Sequence, residues 1–225
     1  MTEAGIKDRC PAEYAELLRD DRLLRGAAEA MRRNTDLLTL RTPELGWLSL
    51  YEQIIFEGAQ GLLLDAEYVQ GQPYVTASRT GLIQPAAFCR QYGLRLDRVL
   101  YVTRSYVTRH GAGPLPYECA AEALGLLADD RTNTPNPWQG AIRYARHPEL
   151  PEFLAPIADD LASVVIRPEV NLLVTHLNET EDQLCFVSGN LSLSDFRQKL
   201  TREPLIDHIY SSRSPENIDW REPVC

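Results

Sequence analysis

The sequence predicts an α/β fold, a largely parallel sheet with flanking helices, forming a single domain over residues 1–225. Three observations carry that expectation. Short apolar runs alternate along the chain with stretches whose apolar residues recur near the helical period. The loops with the strongest turn chemistry follow the ends of those runs, where open α/β sheets bind their ligands. A chain of 225 residues, 44% hydrophobic and 24% charged, can bury the core of one domain and lacks the composition of a disordered polypeptide.

Residues 12–33 suit one amphipathic helix, with Tyr14, Leu17, Leu18, Leu24, Ala27, Ala28 and Met31 on its apolar side. Residues 1–50 then act as a helical lead-in to a core at 51–225, with Thr42-Pro43 and Gly46 breaking the path between them. The run 53–56 (QIIF) suits a buried strand entering a glycine loop at Glu57-Gly58. Further strand material lies at 99–102 (VLYV) and at Tyr106-Val107. Residues 120–127 and 150–165 suit helices, the second around Phe153, Leu154, Ile157 and Leu161. The clearest strands are 170–177 (VNLLVTHL) and 183–187 (QLCFV). A helix over 193–200 has a capping serine at Ser192 or Ser194, and a last strand occupies 205–210.

Charge and composition exclude several functions. Acidic residues outnumber basic ones 32 to 23, a net charge of −9, which argues against nucleic acid as a partner. Only Lys7 and Lys199 are lysines, and neither lies in a glycine-rich turn, so these residues contain no Walker-type phosphate loop. No apolar run is long enough for a membrane helix and the opening residues lack a signal-peptide profile, so the expectation is a soluble cytoplasmic chain. Cys10, Cys89, Cys119, Cys185 and Cys225 form no CxxC pair, and His110, His147, His176 and His208 are scattered. Free thiols and no metal site are expected. Asp129-Asp130 and Asp159-Asp160 are expected as surface pairs.

Three loops could carry chemistry. In Phe56-Glu57-Gly58-Ala59-Gln60-Gly61 the glycines let backbone N–H groups approach a ligand and Gln60 can donate and accept; a plain strand-to-helix turn is the alternative. In 105–116 Arg109 precedes Gly111-Ala112-Gly113-Pro114-Leu115-Pro116, a stiff backbone that suits either a ligand loop or a rigid connector. In 132–140 polar side chains and Trp138 lead to Arg143, which could grip an anion bidentately, or the segment could be a proline-rich crossover.

Together the first two loops resemble the adenylosuccinate synthetase family. FEGAQGLLLD and PYVTAS, followed by SYVTRHGAGPLPYE, match that family's FEGAQG-x-LLD, PYVTSS and YTTRVGxGPFPTE stretches in order and spacing, with about one residue inserted between Asp65 and Pro73. Downstream the likeness thins to the 132–143 loop, to Thr175-His176-Leu177-Asn178 in place of Thr-Lys-Leu-Asp, and to the 206–212 region, so that it runs from about residue 12 to 225. The resemblance implies an incomplete P-loop-type fold and a C–N ligase joining inosine monophosphate (IMP), or a similar purine nucleotide monophosphate, to L-aspartate with GTP and Mg2+. It places Gly58, Gln60, Gly61, Thr76, Arg109, Gly111 and Arg143 at the substrate, Gln60 near the purine 6-position and Thr76 at the 5′-phosphate. Thr175, His176 and Asn178 would face the base of the nucleoside triphosphate.

The departures are equally specific. The family's Gly-Asp-Glu-Gly-Lys-Gly-Lys loop, its catalytic Asp and His and its magnesium ligand have no counterpart in these residues. His176 and Asn178 replace the base-reading Lys and Asp, which removes the carboxylate that pairs with guanine. The resemblance therefore implies a ligase completed by a partner chain bearing the phosphate loop, in a homo- or hetero-dimer, with the chain inactive by itself. The alternatives are a non-catalytic nucleotide-binding or regulatory homologue, and a truncated product.

Overall fold

The computed structural model describes residues 20–37, 44–126, 135, 140–214 and 216–219. The first part of the 12–33 helix, the break at Thr42-Pro43, Asp129-Asp130 and most of the 132–140 loop lie outside the described residues. The chain divides into two compact units, Met1–Gln53 and Ile54–Cys225.

In the first unit, α1 (Asp21–Thr35) starts where the Asp20 carboxylate accepts the Arg22 backbone N–H at 2.9 Å. Asp21 in its first turn and Arg32 and Arg33 in its last complement the helix dipole. A single turn, α2 (Leu45–Leu48), follows, and Trp47 meets Tyr51 edge-on with ring centroids 5.3 Å apart.

The second unit has α/β character. It contains α3 (Ile83–Gln91), β1 (Arg98–Arg104), β2 (Val107–Arg109), β3 (Glu118–Cys119), β4 (Arg143–Ala145), α4 (Leu150–Leu161), β5 (Glu169–Thr175), β6 (Gln183–Phe186), β7 (Gly189–Ser192), α5 (Leu193–Leu200), β8 (His208–Ser214) and β9 (Asn217–Asp219). The main sheet has the order β1-β5-β8-β9, with β1, β5 and β8 parallel and β9 antiparallel. The short strands β2-β4-β3 form a second sheet, and β6-β7 is a hairpin.

One face of the main sheet is the core. Val170, Leu172 and Val174 of β5 and Ile209 of β8 pack with Leu154 and Ile157 of α4, Phe196 and Leu200 of α5, and Leu184 and Phe186 of β6. Burying apolar area on this scale is the main stabilising term. α5 begins as expected, with Ser192 Oγ accepting the Asp195 N–H at 3.1 Å.

Several sequence expectations change. The run 53–56 is not a strand: it pairs with no other strand among the described residues, and Ile55 is 84% exposed. Backbone groups of an extended segment need a neighbouring strand, and none is offered here. The 120–127 helix is a 3-10 turn at Ala121–Leu124, ended by Gly125 in the left-handed conformation (φ 66°). The 183–187 strand joins a hairpin rather than the parallel sheet, and the last strand starts later than 205. Of the expected surface pair Asp159 is exposed, but Asp160 is half-buried: its carboxylate accepts the Leu82 N–H and the Tyr101 hydroxyl, both at 2.8 Å.

Candidate functional site

Asp65 organises the first loop. Its carboxylate accepts from the Glu67 N–H (2.9 Å), the Arg79 Nε–H (2.8 Å) and the Thr80 N–H (2.7 Å). Burial pushes this carboxyl up, but those backbone donors and the Arg79 guanidinium outweigh it and hold the group below its ordinary range. The Thr76 N–H donates to Leu64 O (2.8 Å) and the Ala66 N–H to Ser78 O (3.1 Å), which lays 76–78 beside 64–66. Gly58 closes the other side, where a Cβ would stand 3.1 Å from Thr80 O.

The second loop is braced by two arginines paired across β2 and β4, Arg109 opposite Arg143. Arg109 donates from Nε to Ala112 O (3.1 Å) and from Nη2 to Tyr74 O (2.6 Å). Arg143 donates from Nε and Nη2 to the Glu118 carboxylate and from Nη1 to Gly111 O (3.1 Å) and Gly113 O (2.8 Å). Gly113, at φ 110°, packs so closely that a Cβ would lie 2.6 Å from Tyr74 Cβ. Only glycine fits there.

Both glycine turns therefore pack on one stretch, 74–80: Gly58 against Thr80 and Gly113 against Tyr74. Outward polar groups on that body include Gln60, exposed and without a side-chain partner among the described residues, Glu57 and His110, both exposed, and the hydroxyls of half-buried Thr76 and exposed Ser78, which lie 3.4 Å apart. Gly61 is exposed and Gly111 half-buried. Arg109 and Arg143 spend their guanidinium groups on the protein's own carbonyls and on Glu118, so in this structure they set the loop's shape.

Thr175, His176 and Asn178 stand apart from those loops in the sequence, at the carboxyl end of β5. Thr175 Oγ1 donates to Thr103 O (3.0 Å), His176 takes the left-handed conformation (φ 61°), and Asn178 is exposed. The nearby Glu179 carboxylate accepts the Tyr106 hydroxyl, and burial followed by that carboxylate raises the Tyr106 pKa. The carboxylate next to Asn178 is thus already engaged. Among the described residues no three His, Cys, Asp or Glu side chains gather as a metal site, and no step is assigned to a metal. A groove of about 420 Å³ between α4 and residues 203–205 is lined by Leu154, Ala155 and Leu205 and contains none of the predicted site residues.

Asp65, Tyr74 and Glu118 support the loops without having been singled out from the sequence. Asp65 had a local signal, since Asp binding the N–H two residues on is a turn-former. Glu118 closes the SYVTRHGAGPLPYE motif, but nothing in the sequence ties it to Arg143, 25 residues on.

No helix among the described residues is long and apolar enough to cross a membrane. Residues 27–134 match the family model "Adenylosuccinate synthetase". The adenylosuccinate synthetase of Coxiella burnetii (strain Dugway 5J108-111) is 49% identical over 71 residues, 32% of this chain and 16% of the relative. Those of Francisella philomiragia and Alcanivorax borkumensis are 34% identical over 104 residues and 45% over 78, covering 46% and 35% of this chain and 24% and 18% of theirs. The similarity thus spans a quarter or less of each relative, and the thinner likeness downstream of residue 134 falls beyond the residues that the family match covers. Over residues 27–134, just under half of its length, this chain is similar to the adenylosuccinate synthetases.

Proposed function

We propose that this chain supplies the purine-monophosphate side of an adenylosuccinate-synthetase-type C–N ligase, binding an IMP-like nucleotide to which L-aspartate is joined. The supporting observation is the packing of both glycine turns on 74–80, with Gln60 and Ser78 exposed and Thr76 half-buried on the same braced body. In this reading the Gln60 amide meets the purine 6-position and the Thr76 hydroxyl meets the 5′-phosphate. Arg109 and Arg143 act as positioning residues that hold 111–113 in shape. Positioned donors are the main protein contribution when a phosphoryl group is transferred to an oxygen and then displaced.

The 225 residues hold no lysine in a glycine-rich turn, so the triphosphate-binding half comes from outside them, and the working unit in this reading pairs this chain with a phosphate-loop polypeptide in the cytoplasm. The carboxyl end of β5 would then carry the triphosphate's base, with weak preference for guanine because Asn178 stands where an acceptor carboxylate is needed and Glu179 is held by Tyr106. That same observation favours the second reading, a nucleotide-binding homologue without catalysis.

Thermal unfolding with IMP, GTP and ATP tests the proposal. A ligand at about 100 times its dissociation constant adds about 2.7 kcal/mol, so IMP should raise the melting temperature clearly and the triphosphates little. No shift with any purine nucleotide removes both readings. Turnover of IMP, aspartate and GTP by the pure chain contradicts the need for a partner.

A further inference from the structure

A polar cluster lies at the amino end of β5. Val170 and Leu172 of β5 and Ile209 of β8 face α4 and α5, so the alternation of a strand turns Glu169, Asn171 and His208 to the opposite face. Register sets Arg98 opposite Glu169, and Asn171 between Leu100 of β1 and His208 of β8. Glu169 gathers the group. Its Oε1 accepts from Asn171 Nδ2 at 2.9 Å, with Arg98 Nε 3.1 Å and His208 Nε2 3.8 Å away. Asn171 is 1% exposed, and its buried Oδ1 has no hydrogen-bond partner among the described residues. A buried acceptor left in that state is costly and uncommon. Turning the amide over gives no relief, because Oδ1 would then face the Glu169 carboxylate at 2.9 Å, acceptor against acceptor. In either orientation an oxygen beside Glu169 lacks a positive partner.

The geometry points to a binding site for a divalent transition-metal ion of the zinc class, held by the Glu169 carboxylate, the Asn171 amide oxygen and the His208 imidazole. One imidazole with two oxygen ligands suits Zn2+ and its neighbours better than Mg2+, which takes oxygen ligands. Atoms bonded to such an ion at about 2.0–2.2 Å stand about 3–3.5 Å from one another. The 2.9 Å between the Asn171 amide and Glu169 meets that spacing, and the 3.8 Å to His208 needs only a small turn of the ring. The side chains of His208 and Glu169 are 36% and 35% exposed, so the ion enters from the open side and water completes its shell. Arg98, 66% exposed, holds Glu169 in a weak surface ion pair and swings out as the ion arrives. Asp207 is no ligand, since its carboxylate accepts the Val170 N–H at 2.7 Å and pairs with Arg167 at 2.9 Å. Bound there, the ion ties β5 to β8. Glu169 and Thr175 lie at opposite ends of β5, about 20 Å apart, so this is a structural ion and does not rest on the nucleotide reading.

Zn2+ titrated into the full chain by calorimetry, with Co2+ as the paramagnetic probe in NMR, tests the inference. One saturable Zn2+ per chain is expected, with a higher melting temperature, and Co2+ should broaden the amides of 169–171 and 208 first. His208→Ala and Glu169→Gln should each weaken Zn2+ binding about tenfold or more. Asn171→Leu should weaken it too, while leaving the metal-free chain at least as stable, because the partnerless acceptor is gone. Arg98→Gln removes a competing cation and should tighten binding about threefold, which a purely structural role for the cluster would not do. No saturable Zn2+ binding, broadening centred on other histidines or on the thiols, or unchanged affinity in His208→Ala or Glu169→Gln overturns the inference. So does weaker binding in Arg98→Gln.

Discussion

Acidification should act on this protein first through His147, and the size of the effect follows from its surroundings. The side chain is 3% exposed, edge-on to Phe153 at 5.2 Å and beside Phe186 at 5.4 Å between ring centroids. Its Nε2 lies 2.9 Å from Arg104 O, so the neutral ring donates to the last residue of β1. Its backbone receives and gives bonds to the 185–187 stretch, which ties the β6–β7 hairpin to the sheet. Burial pushes the imidazole down from 6.5 to about 4, with the Arg104 carbonyl opposing only in part. A base with a depressed folded pKa is protonated first in the unfolded chain. Its contribution is therefore complete above 6.5 and is lost as pH falls toward about 4. The gap corresponds to about 3 kcal/mol. Asp65 and Asp207, both held below their ordinary range, act at more acid pH, and Glu118, held below 4.5 by its bond to Arg143, overlaps only the acid end of this window. Urea unfolding at about pH 7 and about pH 4.5 measures the loss, in the wild type and in His147→Phe. The variant loses the bond to Arg104 O, about 1–2 kcal/mol at neutral pH. It also loses this share of the pH dependence, so the gap closes on acidification and reverses in the variant's favour by about pH 4.5. A constant gap between them, or a ring that titrates near its ordinary value by NMR, would refute the reasoning.

The other predictions concern the loops and their supports. Gly113→Ala should cost about 1–3 kcal/mol and loosen 109–113 in amide exchange, because the added methyl meets Tyr74 and Arg109 at a backbone angle alanine avoids; an unchanged melting curve would mean the contact is not formed in solution. Asp160→Ala should cost about 2–3 kcal/mol in denaturant unfolding, since the Leu82 N–H and the Tyr101 hydroxyl both lose their acceptor. Gln60→Ala and Thr76→Ala should each weaken IMP binding about five- to tenfold in calorimetry, the value of one hydrogen bond, with little effect on stability.

The parts of the fold that were legible in the sequence are those whose pattern suffices by itself. β5 is apolar almost throughout because both its faces are buried, and 170–177 marks it within two residues. α4 and α5 show their inner faces at Leu154 and Ile157 and at Phe196 and Leu200, and Ser192 announces the second helix. What failed depends on neighbours. Residues 53–56 have the composition of a strand but no strand to pair with, and α3 was not anticipated, carrying Pro85 in its first turn and little separation of polar from apolar faces. Asp160 looked solvated because its partners, Leu82 and Tyr101, lie 78 and 59 residues away. The site shows the same division. The glycine turns and Gln60 are readable as motifs, whereas the engagement of Arg143 by Glu118 and two carbonyls exists only once β3 and β4 are paired.

The most direct measurement is an NMR titration of the labelled chain with IMP. If the two glycine turns frame one purine-monophosphate site, the amides of 58–61 and 111–113 and the Gln60 side-chain amide shift together along one saturation curve. Shifts confined to one turn, or to neither at millimolar ligand, would contradict it.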